Sequence, residues 1–225
     1  VLGFLLSRRW LLFGLAVVLL GLACWRLGEW QFHRLEERRT DNAIIERNLA
    51  AQPVDAREVL QADEPLPRSQ QWRSVTLSGE YDVRNQVLVR YQTRDGQPGV
   101  SVVTPLVMDD GSEVLVERGW VRTANSGAAE VDAPEPPPGP VRVEGWARPD
   151  QSGDTQAITP RNNQVRLISS AGFADVLEPT LLRGYVSASR ESPEPAEQLQ
   201  RPEPPELNSG PHFFYGLQWW FFGAL

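Results

Sequence analysis

Few side chains in this sequence can do covalent or ligand chemistry. All 22 basic residues are Arg, and there are two His (His33 and His212), one Cys (Cys24) and one Met. The absence of Lys removes the phosphate-loop lysine and every Schiff-base mechanism, and it points to a GC-rich genome. One Cys cannot close an intrachain disulfide. Two His and one Cys do not supply the clusters that a structural zinc or a thiolate copper centre needs. A Ser-His-acid triad needs a His inside a folded domain, whereas both His fall at the edges of the charged middle of the chain. Carboxylates abound, but no spacing singles out a pair, and Asp109-Asp110 before Gly111 reads as a turn. The sequence therefore reads as a non-enzyme. Its remaining chemistry is the neutral imidazole, whose lone pair can ligate a metal centre.

The elements that must position those imidazoles are set by where charge is missing. From Trp10 to Trp25 there are 16 residues without a charge, WLLFGLAVVLLGLACW. Trp10, Trp25 and Trp30 supply interfacial aromatics and Arg26 can snorkel, so the predicted transmembrane helix extends to about Trp30. The competing reading is a signal peptide. Ser7-Arg8-Arg9 weakly matches a twin-arginine signal and Gly21-Leu22-Ala23-Cys24 a lipoprotein box, but no A-x-A site follows. A second apolar segment, HFFYGLQWWFFGAL, starts at His212 and runs 13 residues beyond it. Because the chain starts at Val1 and stops there, the expectation is a fragment cut inside a second transmembrane helix. An aromatic tail packed into the domain is the alternative.

Between Glu29 and Glu206 lie all 29 acids against 19 Arg, a net charge of −10. Such a middle repels nucleic acid. Residues 31–52 are predicted to continue the first helix outward from the membrane. Residues 53–190 form the main domain, with seven short strands: 72–81, 85–92, 99–108, 113–121, 141–148, 164–169 and 181–189. Asp95-Gly96 and Asp109-Asp110-Gly111 are hairpin turns, and Ser170 to Glu178 reads as a short helix. Isolated glycines at 79, 119 and 145 are expected to end or kink strands. Residues 191–211, rich in Pro and Glu, read as a semi-rigid tether too polar to bury. The predicted fold class is thus membrane-anchored α+β. Two transmembrane helices flank an antiparallel β-sandwich or open barrel, and the acidic domain is expected outside the cytoplasm.

On this layout His33 lies about one turn beyond the first span and His212 opens the second. A ligand at the mouth of a helix pair is a reasonable place to hold haem iron. Trp30 and His33, three apart, share a helical face. The plain alternative for each His is an interfacial imidazole satisfied by water.

The ordered landmarks resemble the surfeit-locus-one family of cytochrome c oxidase assembly factors. After the first helix stand Gly28, Trp30, Gln31, Arg34 and Arg38, the last in place of a usual Lys. Then come Gly79-Glu80-Tyr81, Pro98-Gly99, Thr104-Pro105-Leu106, Arg118-Gly119-Trp120, and Val141, Val143 and Gly145. The closing pattern His-x-x-Tyr-x-x-x-Trp falls on His212, Tyr215 and Trp219. The stretch Asn208-Ser209-Gly210-Pro211 departs from the family's approach to that His.

The resemblance implies a multi-pass protein of the bacterial plasma membrane with its main domain on the extracytoplasmic side. It implies a role in delivering or inserting haem a into the oxidase catalytic subunit, with that subunit, other assembly factors and the lipid bilayer as partners. It implies haem a as a transiently bound cofactor held through His212. Tyr215, Trp219 and His33 are further cofactor-binding candidates. A permanent accessory subunit that only docks, and an envelope scaffold unrelated to respiration, are the other readings.

Overall fold

The computed structural model describes residues 7–124, 131, 133–173, 177 and 181–225. The chain divides into two compact units, Val1–Ala43 with Glu206–Leu225, and Ile44–Pro205.

The first unit is helical. Helix α1 (Arg8–Ala50) runs without a break for 43 residues, because no Pro interrupts it before Pro53. The residue before a Pro is pushed out of the α region, which ends the helix there. Its first part carries an apolar belt of exposed side chains, such as Leu11, Val18 and Leu20. It is the one helix among the described residues that is long and apolar enough to cross a membrane. At the other end of the chain, residues 212–224 form a 13-residue helix. At ~1.5 Å per residue that is about 20 Å, short of the ~30 Å hydrocarbon core. The segment expected to begin a second span is thus an apolar helix.

The second unit begins with the last turn of α1. Asn48 closes that end by donating from Nδ2 to the carbonyls of Ser69 and Gln71, each at 2.8 Å. Eight strands follow: β1 (Val54–Asp55), β2 (Ser74–Tyr81), β3 (Val87–Arg94), β4 (Gln97–Met108), β5 (Glu113–Arg122), β6 (Val141–Arg148), β7 (Gln164–Val165) and β8 (Leu181–Ser192). A one-turn helix α2 (Thr155–Ile158) is capped by Asp154. The terminal apolar helix is α3 (His212–Ala224).

The sheet order is β1-β2-β6-β8-β5-β4-β3-β7, with a further pairing of β2 to β4. The ladder β2-β6-β8-β5-β4 thus returns to β2, so a single sheet closes on itself and no second sheet faces it. Closure by hydrogen bonds removes the edges a sandwich or open barrel would leave. The sheet is also mixed. The pairs β1–β2, β3–β7 and β5–β8 are parallel, against the antiparallel expectation. The connection from β7 to β8 allows this: β8 enters beside β5 and β6 instead of folding back on its predecessor.

Two buried clusters lie on opposite faces of the sheet. One contains Leu60, Val75, Leu77, Leu106, Val114, Val116, Val143 and Val186. The other contains Val87, Val89, Val103, Leu115, Phe173, Leu181 and Tyr185. Leu115 sits between Val114 and Val116 in β5, so the period of two puts neighbours into different cores. This is why β4 and β5 read as near-continuous apolar runs.

Gly119 and Gly145 do lie beside irregularities, as expected. The register of β4 and β5 shifts between Val102 and Val103, so Gly119 and Glu117 face consecutive residues and Arg118 is the extra one. A bulge re-aims the side chain it carries, and here it sends Arg118 into the interior. Gly79 plays another part: it is where β2 pairs with both Val141 of β6 and Met108 of β4.

Inside, Arg118 is fully buried and donates from Nε to Glu191 Oε1 at 3.0 Å. Tyr81 donates its hydroxyl to the same oxygen at 2.6 Å, and Arg201 Nη1 lies 2.9 Å from Glu191 Oε2. Arg118 also donates to the carbonyl of Pro134 at 2.9 Å. Glu191 was expected to open an exposed tether. It belongs to β8 and is buried, because two guanidinium groups and a phenol compensate its charge. The tether is likewise held as far as Pro202. Gln200 bridges to Trp120, Leu199 is buried, and Arg94 donates to the carbonyl of Arg201 at 2.8 Å. Gly119 makes room for it, since a Cβ there would stand 2.5 Å from Leu199 Cβ.

The predicted helix over 170–178 is a 3-10 turn, Ser170–Gly172, and residues 174–176 and 178 lie outside the described residues. The strand predicted over 164–169 is shortened to β7.

Candidate functional site

In the first unit α3 runs antiparallel to α1, and a stripe of each helix meets the other. On α1 the stripe is Gly21, Cys24, Gly28 and Phe32, at spacings of three and four. On α3 it is Gly216, Trp220 and Gly223. The stack of contacts is regular. A Cβ on Gly223 would stand 3.1 Å from Cys24 Cβ. Trp220 stacks on Trp25 with ring centroids 5.2 Å apart and planes 15° apart, and packs on Phe32 at 4.7 Å. Phe32 meets Phe213 edge to face at 6.2 Å. Gly28 and Gly216 are required here: a Cβ on Gly28 would collide with the Trp220 indole, and one on Gly216 would stand 2.8 Å from the Phe32 ring. The seam is thus close-packed by aromatics set into glycine gaps.

The polar end of this seam is His212. Its Nδ1 lies 2.8 Å from Gln31 Oε1, and its ring is half-buried at the first turn of α3. An amide oxygen can only accept, so in the neutral ring this contact calls for the proton on Nδ1, which leaves the lone pair on Nε2. An imidazole fixed in this way is oriented as a ligand, since the hydrogen bond at one nitrogen sets the tautomer at the other. One step further, Asn42 Nδ2 donates to the carbonyl of Asn208 at 3.1 Å and holds the approach to α3.

Tyr215 and Trp219 lie three and seven residues after His212, on a stripe beside the seam. Tyr215 is exposed and Trp219 half-buried, with Phe222 edge to face at 6.2 Å. His33 is exposed. It follows Gln31 by two residues, about 200° around the helix, so α1 turns it away from the side that meets His212. Trp30 is exposed as well, and Cys24 is buried in the seam. The structure therefore brings His212 to Gln31 and not to His33. Sequence reasoning had Gln31 only as part of a motif. Its role as the acceptor for His212, and the glycine gaps at 28 and 216, went unread. The signal was there in the three-and-four spacing of Gly21, Cys24, Gly28 and Gln31.

No group of three or more His, Cys, Asp or Glu among the described residues could hold a metal ion.

Comparison with known proteins fits this arrangement. The model of the SURF1 family matches residues 18–224, nearly the whole chain. This chain belongs to the SURF1 family. An uncharacterised SURF1-like protein of Mycobacterium bovis is 30% identical over 228 residues, covering 100% of this chain and 83% of its own. The corresponding protein of Mycobacterium tuberculosis matches equally, at 30% over 228 residues. The cytochrome oxidase assembly protein SHY1 of Saccharomyces cerevisiae is 31% identical over 129 residues, 51% of this chain and 31% of the yeast protein. The family match runs from α1 through the sheet to α3, so this SURF1-family chain carries both helices and the sheet within one matched stretch.

Proposed function

We propose that this SURF1-family chain is an assembly factor for haem-copper cytochrome c oxidase that assists the delivery or insertion of haem a into the catalytic subunit. The observation that carries the reading is the His212–Gln31 pair, which leaves one oriented imidazole lone pair at the polar end of an aromatic seam. The printed role of the yeast relative in oxidase assembly supports the same direction. The residues present suit a large apolar macrocycle. His212 would hold the iron through Nε2, with Tyr215 and Trp219 on the adjoining stripe offering aromatic surface. When bound, the haem would contribute its iron and its apolar bulk, and no chemistry of this chain's own is required. A single ligand suits a carrier, because the cargo must leave. His33, on another side of α1, is the distant second ligand. The chain would sit in the bacterial plasma membrane through α1 and a second span begun by α3, with the acidic domain outside the cytoplasm. The oxidase catalytic subunit and other assembly factors would be its partners.

Three measurements test this. Deletion should lower haem-copper oxidase activity and the haem a band of membranes while sparing b- and c-type cytochromes; unchanged oxidase in a clean deletion refutes the assembly role. His212→Ala should remove or shift the Soret band of co-expressed protein with the sheet still folded, and His33→Ala should do less. Full haem content and an unshifted spectrum in His212→Ala would refute the ligand assignment and leave a docking-only subunit as the better reading. Reporter fusions within 72–190 should give an extracytoplasmic signal.

A further inference from the structure

The sheet unit has a groove that the helix pair does not use and that shares only Tyr81 with the interior ion cluster. It occupies about 890 Å³ where β2 changes partners from β6 to β4. Its apolar lining includes Tyr81, Val83, Val107, Met108 and Pro140. Val83 is 47% exposed, although it belongs to an otherwise ordered 3-10 turn capped by Asp82. The charged lining is mostly acidic: among the described residues Glu80, Asp82, Asp109 and the buried Glu113 stand against Arg84, which pairs with Asp82 at 3.4 Å.

The surroundings reinforce that sign. Arg57 is shared among three carboxylates, Asp55 at 2.7 Å, Asp109 at 2.9 Å and Asp110 at 3.1 Å. One guanidinium neutralises one of them, so the cluster beside the groove keeps two negative charges. The hydroxyl and N–H of Ser112, with Arg57, hold the Asp110 carboxyl down at about 2, so it stays ionised at neutral pH. An apolar lining with an acidic rim selects a ligand with two faces. An extended peptide has two, because successive side chains point to opposite sides.

We propose that this groove is a docking site for an extended segment of a partner protein in which basic and apolar side chains alternate. The apolar side chains would enter over Val83 and Val107, and the basic ones would meet Glu80 and Asp109 on the rim. The proposal does not depend on the haem reading, since it concerns a different unit of the chain.

The test uses the full chain in detergent and a fluorescein-labelled hexapeptide alternating Arg and Leu, followed by fluorescence anisotropy. The expected result is saturable micromolar binding that weakens with salt. The counterpart alternating Glu and Leu should not bind. Glu80→Arg, at an exposed position, should weaken binding at least about tenfold, because it sets a like charge against the peptide. Glu194→Arg makes the same charge change at an exposed position that does not line the groove, and should leave binding unchanged. The proposal is overturned if the wild-type chain does not bind the peptide. Equal loss in the two variants also overturns it, since that reports only the net charge of the domain. A dimer whose mass halves in Glu80→Arg by light scattering overturns it in favour of a second copy as the occupant.

Discussion

Replacing Glu191 by Ala tests the interior of the sheet unit. The side chain is 1% exposed and stands between Arg118, which is 0% exposed, and Arg201. It also accepts the 2.6 Å bond from the Tyr81 hydroxyl. Removing the carboxylate leaves the Arg118 charge in a dry interior beside Gln86, the Pro134 and Glu135 carbonyls and the Tyr81 ring. Breaking one partner of such a pair costs about 3–5 kcal/mol. For a domain of this size each kcal/mol moves the melting temperature by ~2–4 °C, so the fall should be about 10 °C. Tyr81→Phe deletes one hydrogen bond to a charged acceptor that keeps its arginines, so it should cost about 1.5–3 kcal/mol. The double replacement Arg118→Met with Glu191→Leu removes both charges and should cost far less than the two single changes summed. The assay is thermal unfolding of the full chain in detergent, followed by near-ultraviolet circular dichroism. A loss under about 1 kcal/mol for Glu191→Ala, or strict additivity in the double variant, would show that these charges are not coupled.

Other expectations follow from single contacts. Burial pushes the Tyr185 phenol up to about 12 and, with Glu191 nearby, Tyr81 well above 10. The unfolded chain ionises these phenols near 10, so the stability due to their neutral forms is complete below that pH and is lost as pH rises toward 12. Tyr185→Phe should flatten this alkaline decline in unfolding curves, and an unchanged slope refutes the assignment. Gly223→Cys places a second thiol against Cys24, whose Cβ is 3.1 Å from the position of the new one. Mild oxidation should close a disulfide and leave no thiol for maleimide, whereas two free thiols would refute the seam. On the proposed haem reading, Gln31→Leu keeps the His212 imidazole but removes the acceptor it faces at Nδ1. Haem retention, read from the Soret band, should fall about 10–100-fold, the usual cost of losing such a partner; full retention refutes the orienting role.

Most strand positions were legible because alternation in β2, β3 and β6 is set by burial of one face, and the turn residues at 95–96 and 109–111 fix the hairpins. The two-residue strands β1 and β7 have no period to read. Closure of the sheet and the parallel β5–β8 pair are tertiary choices that no local pattern encodes. Glu191 was misread for a related reason. A carboxylate beside Pro and Glu looks solvated unless its partners, 73 and 110 residues away in sequence, are known. At the helix pair, His212 stood out by rarity alone. Gln31 did not, since a Gln gains a role only from the atom it faces.

β8 is the final strand of the sheet in sequence, yet it fills a central place between β5 and β6. During translation, everything up to Arg148 can emerge while β5 and β6 each lack a neighbour on one side. Neither core can seal until residues 181–192 leave the ribosome, so the nascent domain spends most of its synthesis with two open strand edges. Premature termination before Leu181 should therefore cost the whole domain and not just its end.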